Sequence, residues 1–313
     1  MALYSQFQKA QAYLMRGDIE GLWIEMLQYM RWKEQTASSK SLAWVKTFLP
    51  GLFQEAAFAL PERQWVRTHY VNAANQILHF TGASLQGKEV LDVGCGDCLI
   101  DYGLLNSPLK RLVGLDVVDV ADKDLPNLPA RIKRAGLRPP KQIERFEHVC
   151  YNGYQFPFPD ASFDVVLSWS AFEHIQDVHQ VLAEMRRVLR PDGWMFITVY
   201  PWFHARHGSH LSDYIKEPFF HLRWTNEEIR RQLEEAAQAK PDRQAFVLDH
   251  LWPEFLTLNR FSADDFYEAV KKVGLVARKV ELISFCDDLS QAPKAYKLSE
   301  LMVMGVNLLL TAE

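Results

Sequence analysis

The stretch Glu89-Val90-Leu91-Asp92-Val93-Gly94-Cys95-Gly96-Asp97-Cys98-Leu99 decides the fold. Val90, Leu91 and Val93 form the short apolar run that a buried parallel strand needs. Gly94 and Gly96 follow at once, where the chain must turn sharply and let its backbone approach a ligand. Leu99 to Leu105 reads as the start of a helix, with Asp97 as its N-cap. Strand, glycine turn and helix make the first unit of a nucleotide-binding α/β sheet, with backbone N–H groups aimed at the ligand. A dinucleotide fingerprint would need Gly-x-Gly-x-x-Gly. The run here is Asp92-x-Gly94-x-Gly96-x-Cys98.

Outward from that unit, strands and helices alternate. Arg111-Leu112-Val113-Gly114-Leu115-Asp116 reads as the second strand, ending on a carboxylate about twenty residues past the glycine turn. A carboxylate there can accept from both hydroxyls of a ribose; the plainer alternative is that Asp116 caps the following turn. Pro129 to Ala135 can hold a short helix. Arg145 to Cys150 reads as the third strand, Val165 to Ser168 as the fourth and Trp194 to Tyr200 as the fifth. Between the last two, Val178 to Leu189 is an amphipathic helix with Val181, Leu182, Met185 and Val188 inward and Glu184, Arg186 and Arg187 outward. Arg190-Pro191-Asp192-Gly193 reads as its stop and turn. Leu275 to Phe285 and Leu301 to Thr311 supply the last two strands.

Three phrases carry a resemblance. Asp92-x-Gly94-x-Gly96 with an acidic residue ahead of the first glycine resembles the first motif of the class I S-adenosylmethionine-dependent methyltransferases, with Cys98 at the third glycine. Asn152-Gly153-Tyr154-Gln155-Phe156-Pro157-Phe158-Pro159-Asp160-Ala161-Ser162-Phe163-Asp164 resembles a second signature, with Asn152 where the family usually has aspartate. Glu184-Met185-Arg186-Arg187-Val188-Leu189-Arg190-Pro191-Asp192-Gly193 resembles a third. The resemblance implies a Rossmann-like, seven-stranded, mostly parallel sheet with its last strand antiparallel and helices on both faces. It implies S-adenosyl-L-methionine as cofactor, leaving as S-adenosyl-L-homocysteine. It places Asp92, Gly94, Cys95 and Gly96 at the cofactor loop, Asp116 on the ribose, Val117 against the adenine, and Asn152 and Gly153 at the adenine amino group. Asp164 reads as a turn-holding residue. In such sheets ligands sit at the carboxyl ends of the strands, which puts Ser168, Trp169, Glu173 and His174 near the reacting methyl.

The flanking regions suggest a three-part organisation. Residues 1–80 look helical and rich in tryptophan, and the expected roles are packing, a homo-oligomer contact or a lid. The segment before the first strand often covers the cofactor in this family, which makes Tyr70 a candidate contact. Residues 81–200 and 261–313 form the expected core. Residues 201–260 interrupt it and read as a substrate cap, rich in aromatic and histidine residues. Within the cap Thr225 and Glu228 form a capping box, and Ser262 caps the helix that follows it.

Methyl transfer from a sulfonium is an in-line displacement helped by positioning, and an oxygen or nitrogen acceptor also needs a base. Histidine suits that task. His210 is the first candidate, with His174 and His207 behind it; a structural histidine bonded to backbone is the plain alternative. His204, His207 and His210 at steps of three, with Asp213, also have the look of metal ligands. Cys95-x-x-Cys98 has the spacing of a redox or zinc half-site, but a metal inside the glycine loop would block the cofactor, so no metal is expected.

Composition sets the outer limits. The chain has 313 residues, 48% of them hydrophobic, enough for a sizeable core. A formal net charge of −4 and a pI near 6.2 argue against a nucleic-acid partner. Four cysteines are too scattered for a disulfide scaffold. Without a signal-like N-terminus or a membrane-length apolar run, a cytoplasmic location is expected. The expected activity is methylation of a small organic acceptor in an aromatic pocket. The alternatives are methylation of a macromolecule, a non-catalytic nucleotide-binding relative acting as an interaction partner, and a metal-dependent enzyme on the same fold.

Overall fold

The computed structural model describes residues 62–121, 124–239, 244–284 and 288–313. The apolar run around Leu91 is strand β1 (Glu89–Val93). Six strands join it: β2 (Arg111–Asp116), β3 (Phe146–Cys150), β4 (Phe163–Trp169), β5 (Leu189–Val199), β6 (Leu275–Ser284) and β7 (Val303–Ala312). The order is β3-β2-β1-β4-β5-β7-β6. Strands β1 to β5 are parallel, and β7 is antiparallel to both β5 and β6. The order reverses between β1 and β4, so their carboxyl ends flank the crevice where this architecture binds ligands.

Among the described residues the α-helices of six or more residues are α1 (Ala74–Thr81), α2 (Leu99–Leu104), α3 (Leu128–Arg134), α4 (Val178–Val188), α5 (Asn226–Gln238), α6 (Trp252–Thr257) and α7 (Ala263–Lys272). Alternation along each strand gives the sheet two buried faces. Leu91, Val93, Val113, Val166, Met195, Ile197 and Leu308 share one apolar cluster with Val181, Leu182 and Met185 of α4 and Phe266 and Val270 of α7. The opposite set packs against other helices: Phe196 meets Phe80 of α1 edge to face, and Phe146 meets Tyr102 of α2. No helix among the described residues is long and apolar enough to cross a membrane.

The chain divides into two compact units, Met1–Ala73 with Asn127–Pro139, and Ala74–Pro126 with Pro140–Glu313. The division differs from the three-part organisation read from sequence: it falls after residue 73, and residues 201–260 group with the sheet. In the first unit Tyr70 is buried and its hydroxyl donates to the Arg138 carbonyl at 2.7 Å, while Arg131 pairs with Glu62. The expectations for residues 1–61, an oligomer contact among them, lie outside the described residues. In the second unit the inserted segment has an apolar cluster of its own, including Phe203, Leu211, Phe220, Leu233, Trp252 and Phe255. The capping box at Thr225 and the cap at Ser262 form as expected, and Asp265 completes a second capping box with Ser262.

Three local expectations change. The N-cap of α2 is Cys98, at a left-handed φ of 59°, and Asp97 instead accepts from the Leu99 N–H through Oδ1 at 3.2 Å. Helix α4 passes directly into β5, because Leu189 takes extended backbone and pairs with Phe163, so residues 190–193 bridge two pairings in the strand rather than a free turn. Glu184 faces inward. Its carboxylate accepts from the Phe156 N–H at 2.7 Å and from Arg187 at 2.8 Å, and Arg187 also donates to the carbonyls of Phe156 and Phe158. The third motif therefore holds the loop of the second. Asp164 is structural as expected, accepting from the Glu89 N–H and pairing with Arg190.

Arg187→Ala leaves the Glu184 carboxylate buried without its cation. It is expected to lower stability by about 2–3 kcal/mol in urea unfolding. The hydrogen bond from Arg187 holds Glu184 below the usual carboxylate range. The contribution is thus full at neutral pH and lost as pH falls through that lowered value. A midpoint equal to wild type at pH 7 would show that the network contributes nothing.

Candidate active site

A cavity of about 520 Å³ opens at the carboxyl ends of β1, β2 and β4. Gly94, Gly96, Asp116, Val117, Asn152 and Gly153 line one part of it, and Ser170, Ala171 and His174 another. The loop after β1 needs its first glycine. Gly94 has φ +78°, and a Cβ on it would lie 2.4 Å from Ala171 Cβ, so only glycine lets the loop sit against the β4 end. A Cβ on Gly96 would meet nothing within 4 Å.

Asp116 ends β2 and does both things the sequence allowed. Oδ1 accepts from the Val118 N–H at 3.0 Å, the turn-capping contact, and Oδ2 accepts from the Gly96 N–H at 2.8 Å, tying β2 to the glycine loop. A carboxylate has about four lone-pair sites, so two remain for ligand hydroxyls. Val117 is exposed at the cavity wall, and a Cβ on Gly153 would sit 3.5 Å from its Cγ1. The two residues lie side by side at the cavity wall.

Asn152 is committed differently from the expectation. Its Oδ1 accepts from the N–H groups of Tyr154 and Gln155 at 3.0 and 3.1 Å. Both carbonyl lone pairs are then used, and what remains for a ligand is an NH₂ donor. An aspartate could make the same turn with one oxygen and keep the other as an acceptor for an exocyclic amino group. Asn152→Asp is therefore expected to tighten cofactor binding by about one hydrogen bond, roughly 1 kcal/mol or fivefold in Kd by calorimetry. Unchanged or weaker binding would remove this residue from the adenine site.

Three residues assigned to the cofactor from sequence lie beneath the cavity rather than in its wall. Ser168 is fully buried and donates to the Val93 carbonyl at 2.9 Å, joining β4 to β1; Ser170 lines the cavity in its place. Cys95 is buried, with its thiol 3.8 Å from that of Cys98. Its thiol is pushed well above the usual range by the contact with Cys98 and by burial. Asp92 is buried, and its Oδ1 has no partner among the described residues. Burial, then the charge of Asp116, pushes its carboxyl up to about 7.

At the far wall, His174 reaches the cavity from the loop after β4. Its Nε2 lies 3.8 Å from Glu254 Oε1, and the same oxygen accepts from His210 Nδ1 at 3.2 Å. The two imidazole rings meet edge to face at 5.1 Å. Burial first, and then His210, holds His174 below the usual histidine range, while Glu254 acts in the opposite sense. The hydrogen bond from His210 keeps Glu254 below the usual carboxylate range. Next to His174, Glu173 is buried and pushed up to about 8, chiefly by desolvation.

The histidine expectations are thus reordered. His174, not His210, is at the cavity wall, and His210 stands behind it. His207 is exposed, and His204 stacks against Phe203 and Tyr296. Among the described residues the 204/207/210 set does not assemble as metal ligands, because the segment is a series of turns rather than a helix. The plain structural role belongs to His221, which donates to the Phe203 carbonyl at 2.8 Å. Sequence reasoning missed Glu254 and Asn259. Asn259 clamps the His174 loop: its Nδ2 donates to the carbonyls of Phe172 and Ile175, and its N–H donates to that of Glu173 at 3.0 Å.

Comparison with known proteins follows this geometry. Residues 91–197 match the family model described as a methyltransferase domain. A protein of Mycolicibacterium smegmatis named a probable S-adenosylmethionine-dependent methyltransferase is 30% identical over 152 residues, 48% of each chain. A ubiquinone biosynthesis O-methyltransferase of Thiobacillus denitrificans is 31% identical over 140 residues, 44% of this chain and 55% of that one. The chain thus spans about half the length of the curated relatives it matches. Among solved structures, the complex of the Haloferax volcanii Trm112 methyltransferase activator with its methyltransferase aligns with TM-score 0.47 and 18% identity, over 82% of this chain and 94% of that one. Residues 91–197 thus match a methyltransferase domain, and the glycine loop, the Asp116 position and the β3-β2-β1-β4-β5-β7-β6 order agree with the resemblance to class I S-adenosylmethionine-dependent methyltransferases.

Proposed function

We propose that the protein methylates a small organic acceptor, aromatic or lipid-like, with His174 as the base when the acceptor must lose a proton. One observation carries the reading: a single cavity joins the glycine loop and Asp116 to His174. When bound, S-adenosyl-L-methionine supplies a methyl group on a sulfonium. Gly94, Gly96, Asp116, Val117 and Gly153 would hold it, and their donors, acceptors and open backbone suit a nucleoside. His174, kept neutral by burial, can take the acceptor proton at a ring nitrogen. Glu254 stabilises the imidazolium that forms, and His210 holds Glu254 in place. The acceptor would gain a bond to the methyl carbon as that carbon's bond to sulfur breaks, the electron pair staying on sulfur as a neutral thioether, and the acceptor proton would leave through His174.

Glu254 and His210, both from residues 201–260, stand against His174, which supports this segment as the cap. A relative named for ubiquinone biosynthesis agrees with a lipid-like acceptor. The test is calorimetric titration with S-adenosylmethionine and S-adenosylhomocysteine. It is followed by transfer of labelled methyl to a panel of phenols, hydroxyquinones, fatty acids and sterols, with a protein extract alongside. Saturable cofactor binding and labelling of one small-molecule class is the expected result. Labelling confined to the extract would reassign the acceptor to a macromolecule, and no binding to folded protein would overturn the enzyme reading.

A further inference from the structure

The face of the sheet beneath the glycine loop carries a group of buried polar side chains that methyl transfer does not use. Asp92, Gly114 and His148 are partners in register across β1, β2 and β3, so they share one face. Cys95 and Cys98 descend onto this face from the loop, and Asp101 from α2. Both thiols are buried, Asp101 is fully buried, and the His148 side chain is 2% exposed. Asp92 Oδ1, both oxygens of Asp101 and His148 Nε2 have no hydrogen-bond partner among the described residues. Leaving that many polar atoms unsatisfied costs several kcal/mol, and native structures rarely do so without an ion or water in the gap.

From this geometry we propose that Cys95, Cys98 and His148 bind a thiolate-preferring divalent metal, zinc by chemistry, on the underside of the cofactor loop. The two sulfurs and a ring nitrogen of His148 all lie within 4.8 Å of one another. The sulfurs are 3.8 Å apart. Two Zn–S bonds of about 2.3 Å at a tetrahedral angle span about 3.8 Å, so the thiols already stand at ligand spacing. Nε2 of His148 is the ring nitrogen without a partner among the described residues, while Nδ1 is turned toward the Asp119 carboxylate at 3.9 Å, too long for a direct hydrogen bond.

Gly114 makes room. A Cβ there would lie 2.9 Å from Cys95 Sγ and 3.0 Å from Phe146 Cζ. Asp101 is fully buried on α2 with both carboxylate oxygens unpartnered among the described residues, and a water or another donor would complete the ligand set. A metal here would not occupy the cofactor's place, in contrast to the expectation from the Cys95-x-x-Cys98 spacing alone. The cavity is lined by Gly94 and Gly96 and not by either cysteine, because the thiols point into the sheet side of the loop. A metal would join the two residues that bracket Gly96, whose N–H meets Asp116. It would fix the loop that holds the cofactor. Binding would displace the two thiol protons to solvent.

The test uses the full chain with Cys150→Ser and Cys286→Ser, so that any thiolate signal belongs to the pair. Protein purified in reductant without chelator is expected to carry about one zinc per chain by mass spectrometry of the element. After stripping, added Co²⁺ is expected to give a thiolate-to-metal charge-transfer band. Cys98→Gly removes one ligand while placing glycine at the left-handed φ, so the chain stays folded; the band is expected to weaken and the metal affinity to fall at least tenfold. His148→Gln is expected to lower affinity similarly while keeping the thiolate band. Three results would overturn the proposal: folded, reduced protein with neither zinc nor a cobalt–thiolate band; metal binding unaffected by both variants; or a Cys95–Cys98 disulfide in freshly purified protein.

Discussion

His174→Gln is expected to lower kcat by about 10²- to 10⁴-fold for an acceptor that must lose a proton, with little change in cofactor affinity. Glutamine keeps a polar group of similar reach but cannot take the proton. The shape of the pH profile separates a base from a merely well-placed side chain. Burial and His210 hold His174 below the usual histidine range, so the imidazole stays neutral to a lower pH than an ordinary histidine would. The acid limb of kcat/KM should lie correspondingly low. Glu254→Gln removes the charge that favours the imidazolium, and should move the limb to still lower pH. His210→Ala removes a neighbour that disfavours it, and should move the limb upward. A His174→Gln enzyme within threefold of wild type, or a limb that ignores both neighbours, would remove His174 from the chemistry.

The parts of this site that were legible in the sequence are those set by neighbours along the chain. The β1 run, the glycines and the carboxylate after β2 follow from local backbone needs, and so do the capping box at Thr225 and the Ser262 cap. What the sequence hid depends on contacts between distant residues. Glu184 sits three residues from Arg187 on a helix whose pattern reads as a solvated charged face. Its burial is decided by the Phe156 N–H, 28 residues earlier. Glu254 serves His210 across 44 residues, and no spacing rule predicts that. The steps of three among His204, His207 and His210 mean one face only on a helix, and that segment has turns instead. For Cys95 and Cys98 the spacing was plain but the side-chain direction was not. The left-handed backbone at Cys98 accompanies the turn of both thiols away from the cavity.

Asp116→Ala is expected to weaken both S-adenosylmethionine and S-adenosylhomocysteine by about 2–3 kcal/mol, roughly 30- to 150-fold in Kd. The carboxylate would accept from ribose hydroxyls through lone pairs left over after Gly96 and Val118, and hydrogen bonds to a charged acceptor are the stronger kind. Alanine also frees the Gly96 N–H, so part of the loss could come from a slackened loop. Asp116→Asn separates the two effects. One amide oxygen can keep the Gly96 contact, while the NH₂ cannot accept from a hydroxyl, so an intermediate loss with an unchanged melting temperature assigns the effect to the ribose. Equal losses in both variants, with equal drops in melting temperature, would assign it to the loop instead. Removing the Asp116 charge also takes away one of the two causes that raise Asp92, leaving burial alone. The Asp92 carboxyl should then titrate somewhat lower in both variants, a shift readable by carboxylate difference spectroscopy. Affinity unchanged in both would show that Asp116 does not accept from the ribose, and the nucleoside would then have to be held by other residues of the cavity.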